Sequence, residues 1–261
     1  MIGRLLVVAA LAFMTLPTVV VMVASFNPTA ILSFPPEGLS LRWYEQALTY
    51  PQFRRAAVNS LIVTGASAVL ALPIGTAAAL ALVRHRVPAP GVWSALILSP
   101  LVIPGVAAGL GFLIVAARLG LLASHVVLVA AHVVMVLPFV VRSVMVSVAN
   151  LDPTLERAAA SLGARPWRVF RRVTLPLLRP GLFAALLFAV IVSVNEFVVS
   201  LFIATRVTEI LPVAMFNYVV NYTDPTMAAL STLFIAVTFV AVFLADRFLR
   251  LARVFQIGEH G

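Results

Sequence analysis

Few side chains in this sequence can do chemistry, and their pattern excludes most enzymatic readings. Among the 261 residues there is no cysteine and no lysine. That excludes thiol nucleophiles, thiolate metal sites and disulfides. It also excludes a P-loop, which needs a lysine to reach the nucleotide phosphates. No H-E-x-x-H occurs, and no G-x-G-x-x-G follows a strand. The histidines are His85, His125, His132 and His260. His125 and His132 are two helical turns apart, so they share a helix face. Such a pair either holds a metal or a proton, or bonds to neighbouring backbone groups within an apolar helix. Asp246 stands one turn before Arg250, the spacing of a structural ion pair. No set of residues suggests a catalytic or metal centre. Glu196, with Asn195 beside it, is the exception to an otherwise apolar run. In a continuous helix starting near Leu182 it would lie roughly 21 Å into a hydrocarbon core of about 30 Å. A carboxylate there either lines a pathway or sits protonated or hydrogen-bonded between helices.

The most legible element that could position such residues is a polar island at 151–181, LDPTLERAAASLGARPWRVFRRVTLPLLRPG. Asp152 can cap a helix whose first residue is Pro153, and Glu156, Arg157, Ala158, Ala159 and Ala160 favour its continuation. Gly163 can close that helix in the left-handed conformation. Pro166 suits the first turn of a second short helix, which Pro176 is expected to interrupt or end. On the second helix Trp167, Phe170 and Val173 share one face, and Arg165, Arg168 and Arg172 another. The expectation is two short helices joined by a glycine elbow at a membrane surface.

The rest of the chain is apolar. Hydrophobic residues make up 62% and charged residues 10%, well outside the range of soluble domains. The net charge of +9 sits at the ends of apolar runs, which argues for a lipid bilayer and against nucleic acid. The runs predict an all-α membrane protein, a single transmembrane domain over 1–261 with six spans at about 5–25, 57–83, 93–117, 121–148, 182–204 and 227–250. The first run exceeds the apolar core of a signal peptide and is read as a retained helix. Pro73 and Gly75 predict a kink in the second span. Gly105 and Gly109 have the G-x-x-x-G spacing that permits close helix contact in the third. Residues 26–55 predict an external loop with a short interfacial helix, Trp43 and Tyr44 lying at headgroup depth.

The arginines orient the spans. Thirteen of the 18 basic residues, among them Arg4, Arg84, Arg86, Arg142, Arg165, Arg168 and Arg250, fall on the side that also carries residues 151–181. By the positive-inside rule that side is cytoplasmic, with both termini on it.

Two stretches resemble a known family. Ala158-Ala159, Gly163 and Leu175-Pro176 resemble the EAA loop of permease subunits in bacterial ABC importers, with Arg157 where that family has Glu and Glu156 one place earlier. The block Ser193 to Leu230 resembles spermidine/putrescine permeases, in Glu196, Phe197 to Ser200, Glu209 to Val213 and Ala229 to Thr232. Asn195 stands where an acid is commoner, and Phe26-Asn27 and Asn59-Ser60-Leu61 extend the likeness to the first external loop. The resemblance implies the type I ABC permease fold, with 151–181 as the coupling loop. Glu156, Arg157, Ala158, Ala159, Gly163 and Pro176 would serve ATPase coupling; Glu196 and Asn195 would serve the substrate pathway. It also implies two ATPase subunits that bind the ATP, a second permease subunit, an extracellular binding protein and no cofactor in this chain. Related importers carry other small organic solutes or iron. A channel or autonomous secondary transporter is the alternative class, and transport without an ATPase would mark it.

Overall fold

A computed structural model describes the backbone of residues 2–31, 33–85 and 87–257. Side chains are described for all of these except residues 2, 241, 242, 244–246 and 248–257. The expected Asp246–Arg250 pair, Arg86 and His260 lie outside that set. Among the described residues every regular element is helical.

The described chain divides into two compact units, Met1–Ala57 with Val213–Arg247, and one built on Val58–Pro212. In the first unit, α1 (Ile2–Ala24) is an apolar helix with Pro17 inside it. The short helix expected next is α2 (Arg42–Thr49). Trp43, however, does not face headgroups: it is 2% exposed, and its indole N–H donates to the Asn27 carbonyl at 2.6 Å. The preceding loop folds over the ring and supplies the acceptor that a buried indole needs. Tyr50, Phe53, Tyr218 and Tyr222 form an aromatic cluster with ring centroids 4.5–5.4 Å apart. It joins the start of α3 (Pro51–Arg84) to α11 (Leu211–Asn221). Asp224 then accepts from the Thr226 N–H at 2.9 Å and opens α12 (Thr226–Ile257).

The second unit is organised around α6 (His125–Ala149). Val136, Val140, Val144 and Val148 recur every four residues and are all buried, together with Val141. Against them lie Ala68, Ala71 and Ala79 of α3, and Leu178, Ala185 and Ala189 of α9 (Leu175–Val194). Small residues let the backbones approach. A Cβ on Gly75 would meet Val140 Cγ1 at 2.6 Å, and one on Gly181 would run into the Ser147 side chain. Helix α3 continues through Pro73 without a break; Gly75 serves close packing.

Two stretches expected as single helices are broken. The third comprises α4 (Pro90–Leu98), a 3₁₀ turn Ser99–Leu101 and α5 (Gly105–Arg118), with a 97° bend. Pro104 disfavours helix at the residue before it, and its own backbone is extended as it opens α5. The fifth stretch ends α9 at Val194 and resumes as α10 (Val198–Ile203). The two second halves pack together through the G-x-x-x-G pair: Cβ atoms on Gly105 and Gly109 would meet Val198 at 3.1 Å and Phe202 at 2.7 Å.

Four helical stretches are long and apolar enough to cross a membrane: Gly3–Ala24, Pro51–Arg84, His125–Ala149 and Pro166–Val194. The bent pair makes a fifth if its halves form one span, and Thr226–Val240 is a shorter apolar stretch. The described residues therefore supply four or five spans against the six expected.

Candidate functional site

The polar island folds as a capped helix, an elbow and a helix start. Asp152 Oδ1 accepts from the Thr154 N–H at 2.8 Å, ahead of α7 (Pro153–Ser161). Hydrogen bonding from the Thr154 side chain, and then from its backbone N–H, holds the Asp152 carboxyl below its usual value. At the far end Gly163 has φ +81°. Its N–H reaches the Ala160 carbonyl at 2.9 Å, and the Ala164 N–H reaches that of Ala159 at 3.2 Å. This is the paired closure in which a left-handed residue satisfies the last carbonyls of a helix.

Beyond the elbow, α8 (Pro166–Val169) runs through a π turn at Phe170–Thr174 into α9. Pro176 therefore does not end the second helix, as expected from its type. The π turn widens the ladder just ahead of it, where the missing N–H and the bulky ring would strain a regular helix.

Glu156 and Arg157 face differently. Glu156 Oε1 accepts from the Thr174 hydroxyl at 2.7 Å, and Oε2 lies 3.9 Å from Arg84, which also donates to the Leu151 carbonyl at 3.1 Å. Arg157 is exposed, its Nε 3.4 Å from the Pro153 carbonyl. Ala158 is exposed and Ala159 half-buried. Around them Leu155, Leu162 and Trp167 are exposed, Leu162 at 90%. Arg165, Arg168, Arg171 and Arg172 are exposed as well.

At the second break, Asn195 and Glu196 each bond to a helix end. Asn195 Nδ2 donates to the Ile191 carbonyl at 2.8 Å, in the last turn of α9. Glu196 Oε1 accepts from the Val199 N–H at 3.0 Å, in the first turn of α10. The Val199 N–H is a group that a helix start leaves without an intrahelical partner, whereas the Ile191 carbonyl also accepts from the Asn195 backbone N–H at 3.3 Å. Glu196 thus lies between two helices rather than inside one, half-buried, with its carboxylate at the positive end of α10.

His132 stands behind the break, 1% exposed. Its Nδ1 lies 2.7 Å from Ser193 Oγ and its Nε2 2.9 Å from Ser200 Oγ. Ser193 in turn donates to Thr64 Oγ1 at 3.1 Å. His125 Nε2 is 3.1 Å from Asn59 Oδ1, and Asn59 Nδ2 donates to the Val207 and Glu209 carbonyls at 2.9 Å each. The backbone partners expected for both histidines are replaced by side chains, because neighbouring helices bring hydroxyl and amide groups within reach. Among the described residues no group of three His, Asp or Glu could hold a metal ion. Sequence reasoning passed over Thr64, Ser193 and Ser200; the available signal was two serines seven residues apart, straddling Asn195-Glu196.

Long apolar helices, one bent and one broken, joined through an arginine-rich elbow, form the fold of an ABC importer's membrane chain. The chain superposes with a TM-score of 0.72 on a chain of the bacterial alginate ABC transporter solved with an alginate pentasaccharide-bound periplasmic protein. That match covers 96% of this chain and 93% of the other, at 16% identity. The chain belongs to the family of binding-protein-dependent transport system inner membrane components, whose pattern matches residues 71–254. It is 28% identical to the spermidine/putrescine transport system permease protein PotC of Escherichia coli (strain K12), over 94% of each chain. It is 29% identical to the putrescine transport system permease protein PotI of the same strain, over 89% of this chain and 85% of that one.

Proposed function

We propose that this chain is a permease subunit of an ATP-driven importer that receives a small organic polycation, of the spermidine or putrescine class, from a binding protein. The observation that carries the cargo class is the Glu196 carboxylate at a helix break, in a chain similar over nearly its whole length to two polyamine permeases. Unwound backbone between half-helices is tolerated in a membrane where it is packed in protein or lines a cavity. A carboxylate there favours a cation, and Asn195 stands next to it.

Counting the bent pair as one span and the apolar start of α12 as another makes six, and with the arginine bias this puts both termini and residues 151–181 in the cytoplasm in this reading. There the loop docks on an ATPase, with Leu155, Leu162 and Trp167 as apolar contacts and exposed arginines around them. Glu156 organises the loop from within, and Arg157 faces the partner. Gly163 aims the second helix; Ala158 and Ala159 keep the surface of α7 low. ATP is bound by two ATPase subunits, and a second permease subunit completes the membrane domain.

The decisive experiment reconstitutes the complex with its binding protein and ATPases and follows labelled putrescine and spermidine. ATP-dependent uptake of either supports the reading. Uptake confined to an anionic or neutral solute overturns the cargo, and uptake by this chain alone overturns the ATPase requirement. Single cysteines test the orientation in this cysteine-free chain. Ser33→Cys and Thr223→Cys should react with an impermeant reagent from outside, and Ser161→Cys should not.

A further inference from the structure

We propose that His132 is a positioning residue that holds the α9–α10 break open and thereby fixes the Glu196 carboxylate. The inference rests on the reading of Glu196 as a pathway residue and adds what keeps it in place. In a continuous helix Ser193 and Ser200 would lie about 10 Å apart along the axis. One imidazole with its two hydrogen bonds does not span that distance. In this chain a single ring bonds both hydroxyls, at 2.7 and 2.9 Å. The ring therefore recognises the broken form and would lose one partner in a straight one.

The order of donors is set by Ser193. Its hydroxyl donates to Thr64, so it accepts from the Nδ1–H of His132, and Nε2 accepts from Ser200. The series Ser200, His132, Ser193, Thr64 runs in one direction through a neutral ring and ties α10, α6, α9 and α3 together. His132 is 1% exposed, Ser193 1% and Ser200 0%. A buried hydroxyl or ring nitrogen left without a partner is costly, so straightening the helix has an opposing force at each end. Glu196 lies between the two clamped serines and shares their constraint. His132 touches no cargo in this scheme; it acts through the backbone it fixes.

The test uses the full importer, with spin labels at Phe188→Cys on α9 and Val207→Cys beyond α10, both exposed positions. The distance distribution between them should be narrow in the parent and broad or shifted in His132→Phe, which keeps a ring and removes both hydrogen bonds. Ser200→Ala should give a smaller change, and it carries the same measurement if His132→Phe does not accumulate. Polyamine kcat should fall at least about tenfold in His132→Phe. Glu196→Gln should cost a similar factor in the parent and almost nothing further in that background. An unchanged distance distribution in both variants overturns the clamp. So does full additivity of the His132 and Glu196 losses, which would make them independent. A broadened distribution combined with normal uptake by Glu196→Gln leaves the clamp standing and removes the pathway reading instead.

Discussion

The elbow at Gly163 and the break at 195–197 both interrupt a helical path, by different means. At the elbow the residue is glycine with φ +81°, nothing lies within 4 Å of where its Cβ would be, and both it and Leu162 are exposed. At the break there is neither glycine nor proline, and Asn195 has an ordinary φ of −93°. The Ala159 and Ala160 carbonyls freed at the elbow are satisfied by the turn itself. At the break Glu196 takes up the freed Val199 N–H and Asn195 adds a second donor to the Ile191 carbonyl, while Ser193 and Ser200 are held by His132. The exposed elbow is limited by backbone conformation; the break, packed against buried His132, Ser193 and Ser200, by finding hydrogen-bond partners.

Substitutions can break this contrast, and the largest effect is expected at the elbow. Gly163→Val should strain the left-handed turn by roughly 1–2 kcal/mol and abolish ATP-dependent uptake by re-aiming the second helix. Gly163→Asn, which tolerates that conformation, should retain most activity in the same assay. Equal losses from Val and Asn would mean that conformation is not what the elbow requires.

Next comes Glu196. Gln can still accept from the Val199 N–H, so Glu196→Gln should lower polyamine uptake about tenfold with unchanged thermal stability of the purified complex. Glu196→Leu strands that N–H and should add about 1–3 kcal/mol of destabilisation, read from the melting temperature.

Asn195→Gly sharpens the comparison most directly. If breaks needed only conformational freedom, glycine would be harmless or helpful there. Losing the Nδ2 donor should instead cost about 0.5–1.5 kcal/mol in the same melting experiment.

Asp152→Asn should have the smallest effect. The Asp152 pKa is depressed in the folded chain from the ordinary 3.8. Its contribution is therefore complete above that value and lost as pH falls through the lower folded one. Asn caps without titrating. Amide exchange across residues 153–161 should match the parent at neutral pH and differ from it only in acid.

The same contrast explains what could be read from residue order. The Asp152 cap and the Gly163 turn are local, each settled within a few residues, and both are where the spacing predicts them. The Gly105–Gly109 pair announced a close contact, though not that its partner would be α10. Prolines were visible at 100 and 104, but proline is tolerated inside apolar helices, as at Pro17, Pro73 and Pro138, so its presence did not give the 97° bend. At Asn195 the local pattern reads as continuous helix, and the hydrogen bonds that His132 makes to both sides of the break come from more than sixty residues earlier in the chain. Pro176 errs in the opposite direction, because the π turn that accommodates it leaves no mark in residue type. Trp43 was misread because an indole suits a headgroup layer and a buried loop equally well, and only the Asn27 carbonyl distinguishes them.

The Glu156 carboxylate joins Thr174 at the head of α9 to Arg84 at the end of α3, and Arg84 also holds the Leu151 carbonyl. Mechanically this makes α7 a crank with two connecting rods. A displacement imposed on its exposed face would load both helices through one carboxylate, more firmly at the 2.7 Å Thr174 bond than at the 3.9 Å Arg84 pair. If α7 is driven by a partner, one side chain then shares that load between two helices.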